Sequence, residues 1–201
     1  PGSDLRADEA RIPNSYYREY GEVKYAGSDG TLGTTTIRLF GEALGSFTFD
    51  IDETIGDTVI ASTTWKDIPV TASSTLTMDI QAITSSTALQ MDVDGDGIVD
   101  TTITQGNGVT EEELTAILKG IVKTLNIPDQ KEKKLLKKIE KLEKELAKEH
   151  KNEKKEKRKT SKAFEELIKQ IKKFEKKKLL TTEEANELIS VLEQIRGKVV
   201  K

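Results

Sequence analysis

Two periodicities divide this chain. In the first half, apolar and polar residues alternate at period 2. Phe47, Phe49 and Ile51 fall on one side of such a run, with Ser46, Thr48, Asp50 and Asp52 on the other. That is the pattern of a strand buried on one face. Leu76, Met78 and Ile80 repeat it. Similar runs recur at Glu22–Tyr25, Thr34–Phe40, Ser46–Asp52, Thr58–Trp65, Thr75–Gln81, Thr87–Met91 and Ile98–Thr104, broken by Gly, Asp and Ser. About seven short strands with turn signals between them predict an all-β sandwich.

In the second half the period changes to that of a helix. Thr110 followed by Glu113 reads as a capping box. Leu114, Ile117, Leu118, Ile121, Val122 and Leu125 then form one apolar stripe. Pro128 separates this helix from a second, which carries Leu135, Leu136, Ile139, Leu142 and Leu146. Lys151–Lys159 contains no apolar residue and reads as a frayed helix end or exposed linker. A third helix carries Ala163, Phe164, Leu167, Ile168, Ile171 and Phe174. Thr181 with Glu184 opens a fourth, and Gly197 is its expected stop. Four amphipathic helices with short connections predict a small all-α bundle. The expected organisation is therefore a β domain over residues 1–108 and a Lys/Glu-rich helical domain over 109–201, joined at Gln105–Thr110.

Charge sharpens that division. The formal net charge is −3, but residues 1–108 hold 6 Lys and Arg against 17 Asp and Glu, a balance of −11. Residues 109–201 hold 26 against 18, a balance of +8. The basic half interleaves its lysines with glutamates at i,i+4, as in Glu140/Lys144 and Glu165/Lys169. Such pairs make a solvated helix face, so nucleic acid is not an expected partner. No apolar run is long enough to span a membrane. The chain opens with neither an initiator Met nor a signal peptide, and reads as a mature or excised form. There is no cysteine, which excludes disulfides and thiolate metal sites.

One segment carries chemistry. Asp92, Asp94, Asp96 and Asp100 place four carboxylates within nine residues, with Gly95 and Gly97 between them. Calcium is a hard cation that takes six to eight oxygens. Asp92, Asp94 and Asp96 stand at loop positions 1, 3 and 5. Gly97 at position 6 permits a sharp turn, so that the carbonyl of Ile98 at position 7 can face inward. Asp100 closes the ring at position 9, directly or through water. Position 12, a glutamate in an EF-hand, is Ile103, and the preceding residues read as a strand. The pattern therefore fits calcium at a β-hairpin, with Asp92, Asp94, Asp96, Ile98 and Asp100 as ligands. An acidic Asp-Gly turn is the alternative, but four unscreened carboxylates repel one another. One of Asp50, Asp52, Glu53, Asp57, Asp67 or Asp79, or else Glu111 or Glu112, is a candidate to complete the shell.

These motifs resemble known proteins. The Asp92–Asp100 run is similar to the calcium hairpins of integrin-type β-propeller repeats. The stretch from Ile12 to Asp100 resembles a C-terminal β domain of large secreted bacterial and archaeal proteins. Its cues are Gly21–Tyr25, Gly45–Phe49 and the Met91–Gly97 hairpin. The helical half, with Leu135, Leu142, Ala163, Leu167, Ile171 and Thr181–Ile189, is similar to FIMAH-type bundles. The resemblance implies an extracellular or cell-surface location and an upstream domain of a larger protein as partner. It implies adhesion or domain presentation as the role. The alternative is a carbohydrate- or mucin-binding module attached to an extracellular hydrolase, with a surface glycan as ligand.

Other residues point to no catalytic centre. The single histidine, His150, has no Cys or His partner for zinc and sits in a Lys/Glu run unsuited to a Ser-His-Asp triad. Trp65 is expected in the core. Tyr16, Tyr17, Tyr20 and Tyr25 form an aromatic group expected at the sandwich edge, with stacking on sugars or on a neighbouring domain as the alternative. No enzyme activity is expected.

Overall fold

The structure is a computed structural model that describes residues 16–20, 23–27, 34–80, 88–104, 109–149 and 153–199. A β part precedes a helical bundle, as the two periodicities require. Among the described residues eight strands come first: β1 (Tyr16–Tyr20), β2 (Val23–Gly27), β3 (Thr35–Phe40), β4 (Gly45–Ile55), β5 (Thr58–Val70), β6 (Thr75–Ile80), β7 (Ala88–Asp92) and β8 (Thr101–Thr104). Four helices follow: α1 (Glu111–Thr124), α2 (Asp129–Glu149), α3 (Glu153–Lys176) and α4 (Thr182–Val199).

The strands form three antiparallel sheets. β3, β6, β7 and β8 make a four-stranded sheet in that order, and β1–β2 and β4–β5 are separate hairpins. Alternation sets which side chains enter the core. Leu76 and Met78 of β6, Leu89 and Met91 of β7, and Ile103 of β8 are all buried. Phe47, Phe49 and Ile51 of β4 pack partly buried against them. Trp65 of β5 is buried, stacks on Phe49 with ring centroids 5.7 Å apart, and donates its Nε1–H to the carbonyl of Ile103 at 3.3 Å. That bond ties the long hairpin to the four-stranded sheet. Trp65 is thus a core residue, as expected.

Helix α1 joins the two parts. Its capping box forms: Thr110 Oγ1 accepts from the Glu113 amide at 3.2 Å, and Glu113 Oε2 accepts from the Thr110 amide. Glu113 Oε1 also accepts from the amide of Thr104 at 3.2 Å, so one side chain caps the helix and holds the end of β8. Leu114, Ile117, Leu118, Ile121 and Val122 are buried, in one continuous cluster with the strand residues above and with Leu135, Leu167, Leu188 and Leu192 of the other helices. Burying each such aliphatic side chain contributes about 1.5–3 kcal/mol. The helices run up and down, with α1 packed on α2 and α4, and α3 on the same two.

Several boundaries differ from the sequence reading. Tyr16–Tyr20 is a strand, although its five aromatic and charged residues gave no clear alternation. β8 starts at Thr101, so Ile98–Asp100 belongs to the loop before it. Of the two readings of Lys151–Lys159, the helix end holds from Glu153 onward, where the chain forms the first turns of α3, and the exposed linker does not. Lys and Glu are strong helix formers, and a helix satisfies its own backbone without apolar contacts. Gly197 does not stop α4, which continues to Val199. Glycine costs helix stability but does not end a helix unless it turns left-handed. The expected features at Ile12, Gly21, Glu22, Gln81, Thr87, Gln105 and His150 lie outside the described residues. Among the described residues no helix is long and apolar enough to cross a membrane.

Half-burial of Glu187 on α4 raises its pKa, because desolvation disfavours the carboxylate. A carboxyl raised on folding binds its proton more tightly in the native state. Its destabilising effect is therefore absent in acid, and sets in as pH rises from the unfolded value through the folded one. Glu187→Gln is expected to raise the urea midpoint at neutral pH and leave it unchanged near pH 4, measured by circular dichroism.

Candidate metal centre

The loop between β7 and β8 starts from two glycines. Gly95 and Gly97 have φ of +77° and +85°, the left-handed region that favours glycine. Around them the aspartates fold the loop by accepting backbone amides. Asp92 Oδ1 accepts from Gly95 at 2.7 Å and Oδ2 from Gly97 at 2.8 Å. Asp96 Oδ1 accepts from Ile98 at 2.8 Å, and Asp94 Oδ1 from Asp96 at 3.3 Å. Asp100 Oδ2 reaches back across the loop to the amide of Val93 at 2.8 Å.

These bonds converge three carboxylates. Asp92, Asp94 and Asp100 each offer an oxygen, and the three oxygens lie within 4.8 Å of one another. Two oxygens bound to one calcium ion at about 2.3–2.6 Å stand at most about 5 Å apart. The triad therefore fits a hard, oxygen-seeking cation. Each carboxylate oxygen has a second lone pair beyond the one taken by an amide. Asp96 is not in the triad; its carboxylate serves the Ile98 amide instead. The Ile98 side chain is exposed, so the only contribution open to it is the carbonyl named above.

The sequence reading did not anticipate a cation supplied by the chain itself. Lys123, in the last turn of α1, donates from Nζ to Asp94 Oδ2 at 2.7 Å and lies 3.5 Å from Asp100 Oδ1. The hydrogen bond to Asp94 is the main reason its pKa is raised. A lysine there also complements the negative end of the helix dipole. In the sequence it is one lysine among many, so nothing marks it out.

A second feature was legible in principle. Gly120 sits mid-helix within an apolar stripe, where glycine costs about 0.5–1 kcal/mol against alanine. Its purpose is close approach. A Cβ built on Gly120 would stand 2.5 Å from Cβ of Val93, so Val93, fully buried, fills the notch. The Val93 carbonyl is held from the other side. Thr71 Oγ1 donates to it at 2.9 Å and Ser74 Oγ at 3.1 Å, both from the turn between β5 and β6. That turn also closes on Gly95, whose added Cβ would come within 3.0 Å of the Ser73 carbonyl. The loop is thus wedged between α1 and a turn of the β part.

The remaining candidates do not join this centre. Asp50 and Asp52 accept hydrogen bonds from Thr64 and Ser62 across the β4–β5 hairpin, and Asp79 accepts from Thr36. Among the described residues the grouping within metal-ligating distance is Asp92, Asp94 and Asp100 alone.

In an ordinary helix, Gly120→Ala stabilises by about 1 kcal/mol. Here the added methyl meets Val93, and the substitution is expected to destabilise by about 1–3 kcal/mol instead. Urea unfolding reads the sign directly; a gain in stability would mean that Val93 does not occupy the notch. In comparisons with known proteins, the chain matches no family model, no curated protein and no solved structure.

Proposed function

We propose that the β7–β8 loop binds calcium and that the ion has a structural role, fixing the junction between the β part and α1. The protein is then a non-catalytic, calcium-stabilised structural or interaction region of a secreted or cell-surface protein, serving adhesion or the presentation of an upstream domain. The observation that carries this reading is the convergence of Asp92, Asp94 and Asp100 on a loop wedged against Gly120. All the donors are oxygens, which favours calcium over softer metals. Extracellular modules bind calcium with Kd on the order of 10⁻⁴–10⁻³ M, and calcium outside the cell is plentiful enough to fill such a site.

Lys123 bears on the affinity. Both Asp94 and Asp100 must release its ammonium group for a metal ion to bind them. A half-exposed ion pair is worth roughly 0.2–1 kcal/mol, so Lys123 costs the metal up to about fivefold in Kd. The same lysine offsets part of the carboxylate repulsion when no ion is bound.

Thermal unfolding tests this reading. Calcium at about 10 mM is expected to stabilise the chain over EGTA by about 1.4–2.7 kcal/mol for Kd in that range. Asp92→Asn with Asp94→Asn is expected to abolish the shift. Lys123→Met is expected to enlarge it and to lower Kd in calorimetric titration. An unchanged melting curve with and without calcium would sink the proposal.

A second reading, carbohydrate binding, has its own observation. The β1–β2 register opposes Tyr16 to Gly27, Arg18 to Tyr25 and Tyr20 to Val23, which puts all three tyrosines on one face of the hairpin. Tyr16, Tyr20 and Tyr25 are 55%, 63% and 52% exposed, too open for the packed edge expected of them. Exposed tyrosine rings offer an apolar face and a polar tip to a sugar. Glycan-array binding in calcium that is lost in Tyr20→Ala and Tyr25→Ala is the outcome this reading requires. An array without hits would remove it.

A further inference from the structure

The two halves carry opposite charge, and each presents a charged face of its own. The acidic face is on the β4–β5 hairpin. Asp50 and Asp52 point outward from β4 and are exposed. Each accepts a hydrogen bond from a neutral hydroxyl, Thr64 and Ser62 respectively. Neither pairs with a described cation, so their charge is uncompensated. Two residues along a strand set them about 7 Å apart.

The basic face is on helices α2 and α3. Lys138 and Lys141 of α2 reach Glu166 of α3 at 3.5 and 3.1 Å, which fixes the register of these antiparallel helices. Beyond Glu166, toward the end of α3, that register brings Lys134 of α2 alongside Lys169 and Lys173 of α3. All three are exposed, and none pairs with a described carboxylate. Lys169 and Lys173 stand one helical turn apart, about 6 Å, which nearly matches the spacing of the two aspartates. Helix α1 contacts β5 and β8, whereas α3 packs on α2 and α4. The strands that carry the acidic face are thus not among the principal packing partners of the helices that carry the basic one.

We propose that the chain associates head to tail with a second copy, the Asp50/Asp52 face of one seated on the Lys134/Lys169/Lys173 face of the next. The two surfaces are different, so each copy retains one free donor face and one free acceptor face. Such a heterologous contact extends into an open chain unless its rotation happens to close a ring. The contact is electrostatic and consequently salt-sensitive. Screening length falls from about 30 Å at 0.01 M salt to about 3 Å at 1 M.

Sedimentation velocity of the full chain provides the test. At about 0.01 M salt, species larger than the monomer are expected to grow with protein concentration, and at about 1 M salt to revert to monomer. Lys169→Glu with Lys173→Glu is expected to abolish association, as is Asp50→Lys with Asp52→Lys, each with an unchanged circular dichroism spectrum. Mixing these two variants discriminates further. Each retains native charge on the face the other has lost, and the two reversed faces also attract each other. The mixture is therefore expected to recover association that neither variant shows alone. A monomer at every concentration in low salt overturns the proposal. So does association that survives high salt, or a mixture that stays monomeric. Binding to heparin or to anionic vesicles without self-association would assign the lysine face to a polyanion and overturn it equally.

Discussion

The close approach of Val93 to Gly120 is the contact on which the rest of this structure depends. Val93 directly follows β7 and is the first apolar residue inside the aspartate loop. Its side chain enters the notch on α1, and its carbonyl is taken by Thr71 and Ser74. One residue thereby connects a sheet, a turn and a helix. Because the notch exists only where a side chain is missing, the position of the loop along α1 is set to within a methyl group. Lys123, three residues further along the same helix, reaches Asp94 and Asp100 from that position.

The electrostatics of the loop follow from this placement. Four aspartates in nine residues would repel one another in an isolated turn. In the folded chain, backbone amides donate to Asp92, Asp94, Asp96 and Asp100, and an ammonium group lies between two of them. The charge is distributed over donors that the fold positions in advance. Such a loop loses little conformational freedom when a cation enters, and preorganisation of this kind favours binding. Glu113 has a comparable double role at the other end of α1, where it caps the helix and fastens β8.

The shared core explains how such different halves coexist. Acidic strands and basic helices have unlike surfaces, but their buried residues belong to one cluster that runs from Trp65 through Leu118 to Leu192. Helix α1 is buried against the strands and against α2 and α4, and so carries few surface charges beyond its ends. Most lysines of the helical part lie on α2 and α3, and several of them pair with glutamate, as Lys138 and Lys141 do with Glu166.

Most of the architecture was legible in the chain because period 2 and period 3.6 are local properties. Phe47–Ile51, Leu76–Met78 and the stripe of α1 each reported their own burial, and Thr110 and Thr181 marked helix starts through bonds to residues three positions away. The aspartate spacing likewise announced a loop able to gather carboxylates. Other features depended on residues far apart in sequence. The separation of the strands into three sheets, the exposure of the tyrosines and the exclusion of Asp96 from the carboxylate triad follow from pairings that no local pattern encodes. Gly120 signalled a close approach without naming what approached. Lys123 looked like any other lysine on a Lys/Glu-rich chain. Sequence by itself determined the two periodicities, the charge division and the cluster of carboxylates. Only the tertiary structure decided which carboxylates meet and which cation meets them, because both depend on where α1 lies against the loop, and that is decided by packing between distant residues.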